Sequence, residues 1–327
     1  MSGEPAPVRV HGVSAALPAD PDFPQLAIAG DPRRMLEVFR THLKWVAGRA
    51  CHIEDCVPFR FRCRQSGSRS VLQYTLRIVD QSTGRRWDQW ATGLLYAREG
   101  EAVRRWRELQ ATEPYQEIPE PWHTFEPLAF IPDLDMVVEV FPYDPRLPNL
   151  SSVMGGALHG IEPLLLARLE SRRGGGVPWY VTERTIEPTR YRTELGAALR
   201  YTIRARAALA ARTETLRCYV KVYRNERGRE TFQLLRSLPE TPAHGAGAYA
   251  VVGAIAYMSE LRTLVLEEAP GASLQQVLLY LADPADAVRA VARAAAAFHQ
   301  DPLGSPRRES VADQLDDLRP ASTLVPW

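Results

Sequence analysis

The chain almost lacks lysine. Of the 40 basic side chains in its 327 residues only Lys44 and Lys221 are lysines, and every other one is arginine. It also lacks net charge: 40 basic against 39 acidic residues leave +1, which gives no overall pull toward nucleic acid or an anionic membrane surface. No apolar run approaches the roughly 20 residues needed to span a bilayer, and the N-terminal MSGEPAPVRVHG has no basic-then-apolar signal pattern. These absences point to a cytoplasmic protein with neither a nucleic-acid nor a membrane partner. Cysteine is scarce as well. Cys51, Cys56, Cys63 and Cys218 are too few and too unevenly spaced for a disulfide framework, so reduced thiols are expected. A zinc site from Cys51, His52, Cys56 and Cys63 is conceivable, but its spacing matches no paired-ligand pattern.

What is present is enough for about two ordinary cores: 45% hydrophobic and 24% charged residues. The chain also repeats itself. PFRFR at 58–62 has a counterpart PTRYR at 188–192, and LQYTLR at 72–77 matches LRYTIR at 199–204. Tyr96 corresponds to Tyr223 and Phe130 to Tyr257, both 127 residues apart, and RWREL ending at Leu109 corresponds to LLRSL ending at Leu238. Five matches in one order at nearly constant offset indicate two copies of one supersecondary unit, at about 50–155 and 180–282.

Each copy reads as a strand, a turn, two alternating strands, a helix and two more strands. In the second copy the turn RTELGAA surrounds Gly196, and LRYTIRARA and LRCYVKVYR alternate with period two. RETFQLLRSL places Phe232, Leu235 and Leu238 on one helical face before Pro239. The expected fold class is α+β, with two tandem units, each a mostly antiparallel sheet carrying a packed helix. A leading helix is expected where Asp31 caps, Pro32 takes the first turn, and Met35, Phe39, Leu43 and Val46 form an apolar stripe. The expected organisation is a first unit with this helix over 1–160, a second over 161–282, and a helical start and tail over 283–327.

Lys221 is the residue that this arginine-rich chain writes against its habit. It sits mid-strand, on the face of Tyr219 and Tyr223 rather than that of Val220 and Val222. Strand, glycine-containing turn, strand, strand with a central lysine, helix with a glutamate, and two strands ending in EEAPG resemble the N-terminal lobe of one branch of the protein-kinase-like superfamily, the aminoglycoside phosphotransferase and choline-kinase-like branch. The resemblance covers about 180–300 and continues into SLQQVLLYL and AVRAVARAAAAFHQ, similar to the helices that open this family's C-terminal lobe.

The resemblance implies that the second unit binds ATP. Lys221 would hold the phosphates as a point charge, beside the turn at Gly196. Glu230 would brace it, or Glu226 if the helix starts earlier. The backbone of Glu267, Glu268 and Ala269 would form the hinge that meets adenine. Magnesium and a small-molecule hydroxyl acceptor are implied with the ATP. The first copy has Leu94 where Lys221 stands, so it cannot hold nucleotide in the same way. The family's histidine-glycine-aspartate motif follows none of the seven histidines; HGIE at His159 continues with Ile161 and Glu162. A phosphotransferase-type protein with no catalytic loop in this sequence is the first expectation. Two others stand beside it: a noncatalytic scaffold using the same lobe, and a tunnel-type triphosphate enzyme built on arginine-lined strands such as RYTIRARA.

Overall fold

The computed structural model describes residues 20–46, 50–63, 69–112, 118–120, 122–172, 177–208, 212–280 and 283–302. The expected tail beyond 302, and the side chain of Cys63, lie outside the described residues. The chain divides into two compact units between Pro145 and Arg146, ahead of the boundary near 160 that the repeat suggested.

The first unit opens with two helices, α1 (Leu26–Ala29) and α2 (Pro32–His42). Asp31 caps α2 as expected, its Oδ1 accepting from the N–H groups of Arg33 at 2.9 Å and Arg34 at 3.2 Å, with Pro32 in the first turn. Met35 and Phe39 face inward and are fully buried. The helix stops at His42, so Val46 lies outside it. Strands β1 (Cys51–Cys63), β2 (Arg69–Asp80) and β3 (Arg86–Tyr96), helix α3 (Glu101–Ala111), and strands β4 (Leu128–Ile131) and β5 (Met136–Val140) follow. The sheet is antiparallel in the order β1-β2-β3-β5-β4. One face, with Leu72, Tyr74, Leu76 and Ile78, buries against Phe23, Leu26, Met35 and Phe39. The other face packs Val71, Leu94 and Val137 against Ala102 and Leu109 of α3.

The second unit begins with α4 (Leu150–Met154) and α5 (Glu162–Arg172), a helical stretch that the repeat pattern did not reveal. Then come β6 (Trp179–Arg192), β7 (Gly196–Ala207), β8 (Thr213–Tyr223), α6 (Arg227–Ser237), α7 (Pro242–Gly245), β9 (Ala254–Met258), β10 (Thr263–Glu267), α8 (Leu274–Tyr280) and α9 (Ala285–Gln300). The sheet order is β6-β7-β8-β10-β9, the same as in the first unit, and a helix follows the third strand in both. The α+β class and the two mostly antiparallel sheets match the expectation.

The registers repeat as well as the order. Every rung of β2 with β3 recurs in β7 with β8 at an offset of 127, from Arg69–Tyr96 and Gly196–Tyr223 onward. The rungs of β3 with β5 recur in β8 with β10 at the same offset. Asp135 and Arg262, again 127 apart, both hold positive φ, at 42° and 47°. A β-bulge leaves Glu54 unpaired in β1 and Thr182 in β6, between equivalent rungs. The match of PFRFR with PTRYR needs correction. A second bulge falls at Phe59 in β1 but at Thr189 in β6, so the structure sets Pro188 opposite Leu199 where the first unit sets Phe61 opposite Leu72. Extra bulge residues shift the sequence match without shifting the pairing.

The third reading does not fit this architecture. Both sheets are open, ending on β1 and β4 or on β6 and β9, so neither closes into a tunnel. The arginines of β7 pair across the sheet instead: Arg200 with Glu187 at 2.8 Å and Arg204 with Glu183 at 3.3 Å.

Candidate functional site

The second unit's sheet has two unlike faces. On β8, Cys218, Val220 and Val222 are buried while Tyr219, Lys221 and Tyr223 point the other way. The buried face is shared with Leu199, Tyr201, Ile203 and Ala205 of β7. Leu169 of α5 packs there against Trp179 and Ala205. Tyr201, fully buried, donates its hydroxyl to Glu162 Oε1 at 2.6 Å, and Arg184 Nε donates to the same oxygen at 2.7 Å. The Arg184 guanidinium holds the Glu162 carboxyl below its ordinary range, against the upward push of burial, and Tyr201 adds to the lowering. Burial, reinforced by the carboxylate, pushes the Tyr201 phenol well above its ordinary value. This half-buried acid was not singled out in the sequence, although it ends the HGIE segment, which forms a 3-10 turn leading into α5.

Lys221 lies on the opposite face. Its neighbours across the sheet are Ala198 on β7 and Leu264 on β10. Tyr257 stands opposite Leu264, and the first turn of α6 rests on that side: a Cβ added to Gly228 would come within 2.8 Å of the rings of Tyr223 and Tyr257. Lys221 and α6 thus share one face. Lys221 is exposed, and it makes no hydrogen bond or ion pair with any described residue.

The expected companions fall around it unevenly. Gly196 begins β7 two residues before Ala198, on the same face; a side chain there would place its Cβ 2.9 Å from the Val222 carbonyl oxygen, so the close approach of β7 and β8 needs glycine. Glu230 is in the first turn of α6 and is exposed, and no ion pair joins it to Lys221. The alternative brace, Glu226, is engaged elsewhere: it accepts from the Tyr257 hydroxyl at 3.0 Å and lies 3.3 Å from Arg229 and 3.9 Å from Arg262.

Glu267 ends β10 opposite Cys218, so its side chain is on the buried face, where it pairs with Arg168 of α5. Its N–H already donates to Gly253 at 2.8 Å, which removes one of the backbone groups expected to meet adenine. Glu268 and Ala269 follow β10 on the surface, with Glu268 at 3.9 Å from Arg217. At the place equivalent to Lys221 in the first unit, Leu94 is buried beneath α3.

Among the described residues, no three His, Cys, Asp or Glu side chains are placed to hold a metal ion. The side chains nearest Lys221 in the sheet are Ala198, Leu264, Tyr219 and Tyr223, none of them a carboxylate, so they do not fit a protein-held magnesium ion. Cys56 and Cys218 are buried free thiols; burial raises both, Cys218 to about 12.

Comparison of the chain with protein-family models, with curated proteins and with solved structures finds no match in any of the three.

Proposed function

We propose that the second unit is a nucleotide-binding lobe of the aminoglycoside phosphotransferase type, with Lys221 as its phosphate anchor. The observation that carries this reading is the state of Lys221. It is an exposed cation on the sheet face that also carries α6, between the small Ala198 and the buried Leu264, with no carboxylate paired to it among the described residues. An ammonium held without a counter-ion, beside a turn drawn close by Gly196, is suited to receive an anionic oxygen. The order strand, turn, strand, lysine strand, glutamate helix and two strands supports the same reading.

Phosphoryl transfer requires positioning of the acceptor and charge stabilisation beyond one lysine. In this reading the described residues supply binding and orientation of the phosphates, and the 327-residue chain does not itself transfer phosphate. Affinity is correspondingly weak, because an exposed ion pair contributes only about 0.2–1 kcal/mol. Titrating the purified protein with ATP at low salt tests this. Lys221→Ala is expected to weaken binding by up to about fivefold. Unchanged ATP affinity in that variant would remove the reading and leave the noncatalytic scaffold in its place.

A further inference from the structure

The cross-strand pairing of acids with arginines on the open face of the second unit stops abruptly beside Lys221. Along β6 and β7, Arg204 is matched by Glu183 and Arg200 by Glu187. The next rung in that direction is Arg190, Ala198, Lys221, Leu264, and the one beyond it begins Arg192, Gly196, Tyr223. No acid stands in either. Arg190 and Arg192 are exposed and, like Lys221, make no hydrogen bond or ion pair with any described side chain. The strand that carries them is fixed: the bulge residue Thr189 donates its hydroxyl to the Ala198 carbonyl at 2.9 Å.

Gly196 and Ala198 are small residues on this face, and they form the floor between the flanking cations. Arg190 and Lys221 stand two inter-strand steps apart, about 9.5 Å, and Arg192 is about 7 Å further along β6. Three like charges around a floor without side-chain bulk offer an anion several contacts at once. The first unit supplies the contrast. Its equivalent rung is Arg62, Val71, Leu94, Val137, and there the valines and leucine are buried against Ala102 and Leu109 of α3. In the first copy the rung is closed by apolar packing from Val71 to Val137; in the second only Leu264 is buried, and Arg190 and Lys221 stand exposed.

We infer that Arg190, Arg192 and Lys221 form a single oligophosphate site, a trough floored by Gly196 and Ala198 that takes two or more linked phosphoryl groups, with Arg190 as its second anchor. Its assignment to the phosphates of a nucleotide rests on the function proposed above; the trough itself requires only the linked phosphates. Two rungs of cations match a chain of phosphates better than a single orthophosphate, and an arginine fork adds directional hydrogen bonds that a lysine does not.

The test is binding of inorganic tripolyphosphate, ATP, AMP and orthophosphate to the full chain, compared with Arg190→Ala, Arg192→Ala and the double variant. All three side chains concerned are exposed, and an unchanged thermal midpoint verifies that each variant is folded. Tripolyphosphate is expected to bind more tightly than orthophosphate, and the double variant to lose about tenfold of that affinity at low salt. Arg190→Lys is expected to recover part of it. Equal tripolyphosphate affinity in wild type and double variant, or no binding by wild type, overturns the inference. ATP binding that depends on Lys221 but not on Arg190 or Arg192 overturns the trough and leaves the nucleotide reading standing. Tripolyphosphate bound as tightly as ATP, and lost with either cation pair, upholds the trough and removes the nucleotide reading.

Discussion

Tyr74 and Tyr201 occupy the same position in two sheets, 127 residues apart: Tyr74 stands opposite Ala91, Tyr201 opposite Cys218, and both are fully buried. Each ties its sheet to the helices that precede it. Tyr74 donates to the carbonyl of Ala29 at the end of α1, at 2.8 Å, and Tyr201 donates to Glu162 at the start of α5. The ring fills the core and the hydroxyl holds the helical layer in place.

Replacing either tyrosine by phenylalanine keeps the ring and removes the tie. The expected loss is about 1–2 kcal/mol for Tyr74→Phe, which leaves the Ala29 carbonyl without this donor, and about 0.5–1.5 kcal/mol for Tyr201→Phe, where Arg184 still donates to Glu162. Urea unfolding measures the loss. Hydrogen exchange should place it in the first unit for Tyr74→Phe and in the second for Tyr201→Phe; an equal loss of protection in both units would contradict that assignment.

The duplicated rung invites an exchange. Leu94→Lys puts an ammonium into the apolar layer beneath α3 and is expected to cost about 3–5 kcal/mol. Lys221→Leu, on an exposed strand face, is expected to change stability by less than about 0.5 kcal/mol while weakening anion binding. Denaturation midpoints of the two variants give the comparison.

Much of this rung could be read from the sequence. A lysine in a chain that otherwise writes arginine marks itself, and Tyr96 with Tyr223 fixes the offset that puts Leu94 in its place. Arg190 and Arg192 could not be singled out by the same reasoning, because an arginine among so many carries no signal until its neighbours are known. The first strand of each copy was misaligned for a different reason: the bulges at Phe59 and Thr189 are extra residues with no compositional mark. Helices α4 and α5 escaped because their counterpart, α1 with α2, shares only its place before the sheet and not its residues.

Acid should act on the second unit through Glu162. Its carboxyl is depressed in the folded state, chiefly by Arg184, below an ordinary value of 4.5. A depressed carboxyl adds stability that is complete above the unfolded value and is lost as pH falls through the folded one. Glu162→Gln is therefore expected to be less stable than wild type at neutral pH, with the gap closing below about pH 4.5. Thermal midpoints across that range decide it, and a gap independent of pH would exclude the linkage.

Thiol chemistry should separate the cysteines. Cys56 and Cys218 are buried, and their thiols are pushed upward by desolvation, Cys218 to about 12, so at neutral pH neither offers thiolate to a reagent in the folded chain. Of the three described cysteines, Cys51 is half-buried and should react first. Peptide mapping after brief maleimide labelling, with and without urea, is expected to show Cys56 and Cys218 modified only in urea.

The bulges in β1 and β6 have a consequence for the company this protein keeps. Both are terminal strands of open sheets, and each has one row of backbone groups that its own sheet does not pair. Such a row is a template for a stranger. Two interruptions in each strand, at Glu54 and Phe59 and at Thr182 and Thr189, with Pro58 and Pro188 nearby, break the template into segments too short and too twisted for another chain to zip along. Phe59 and Thr189, the residues that confuse the alignment of the two copies, are among those that discourage edge-to-edge aggregation.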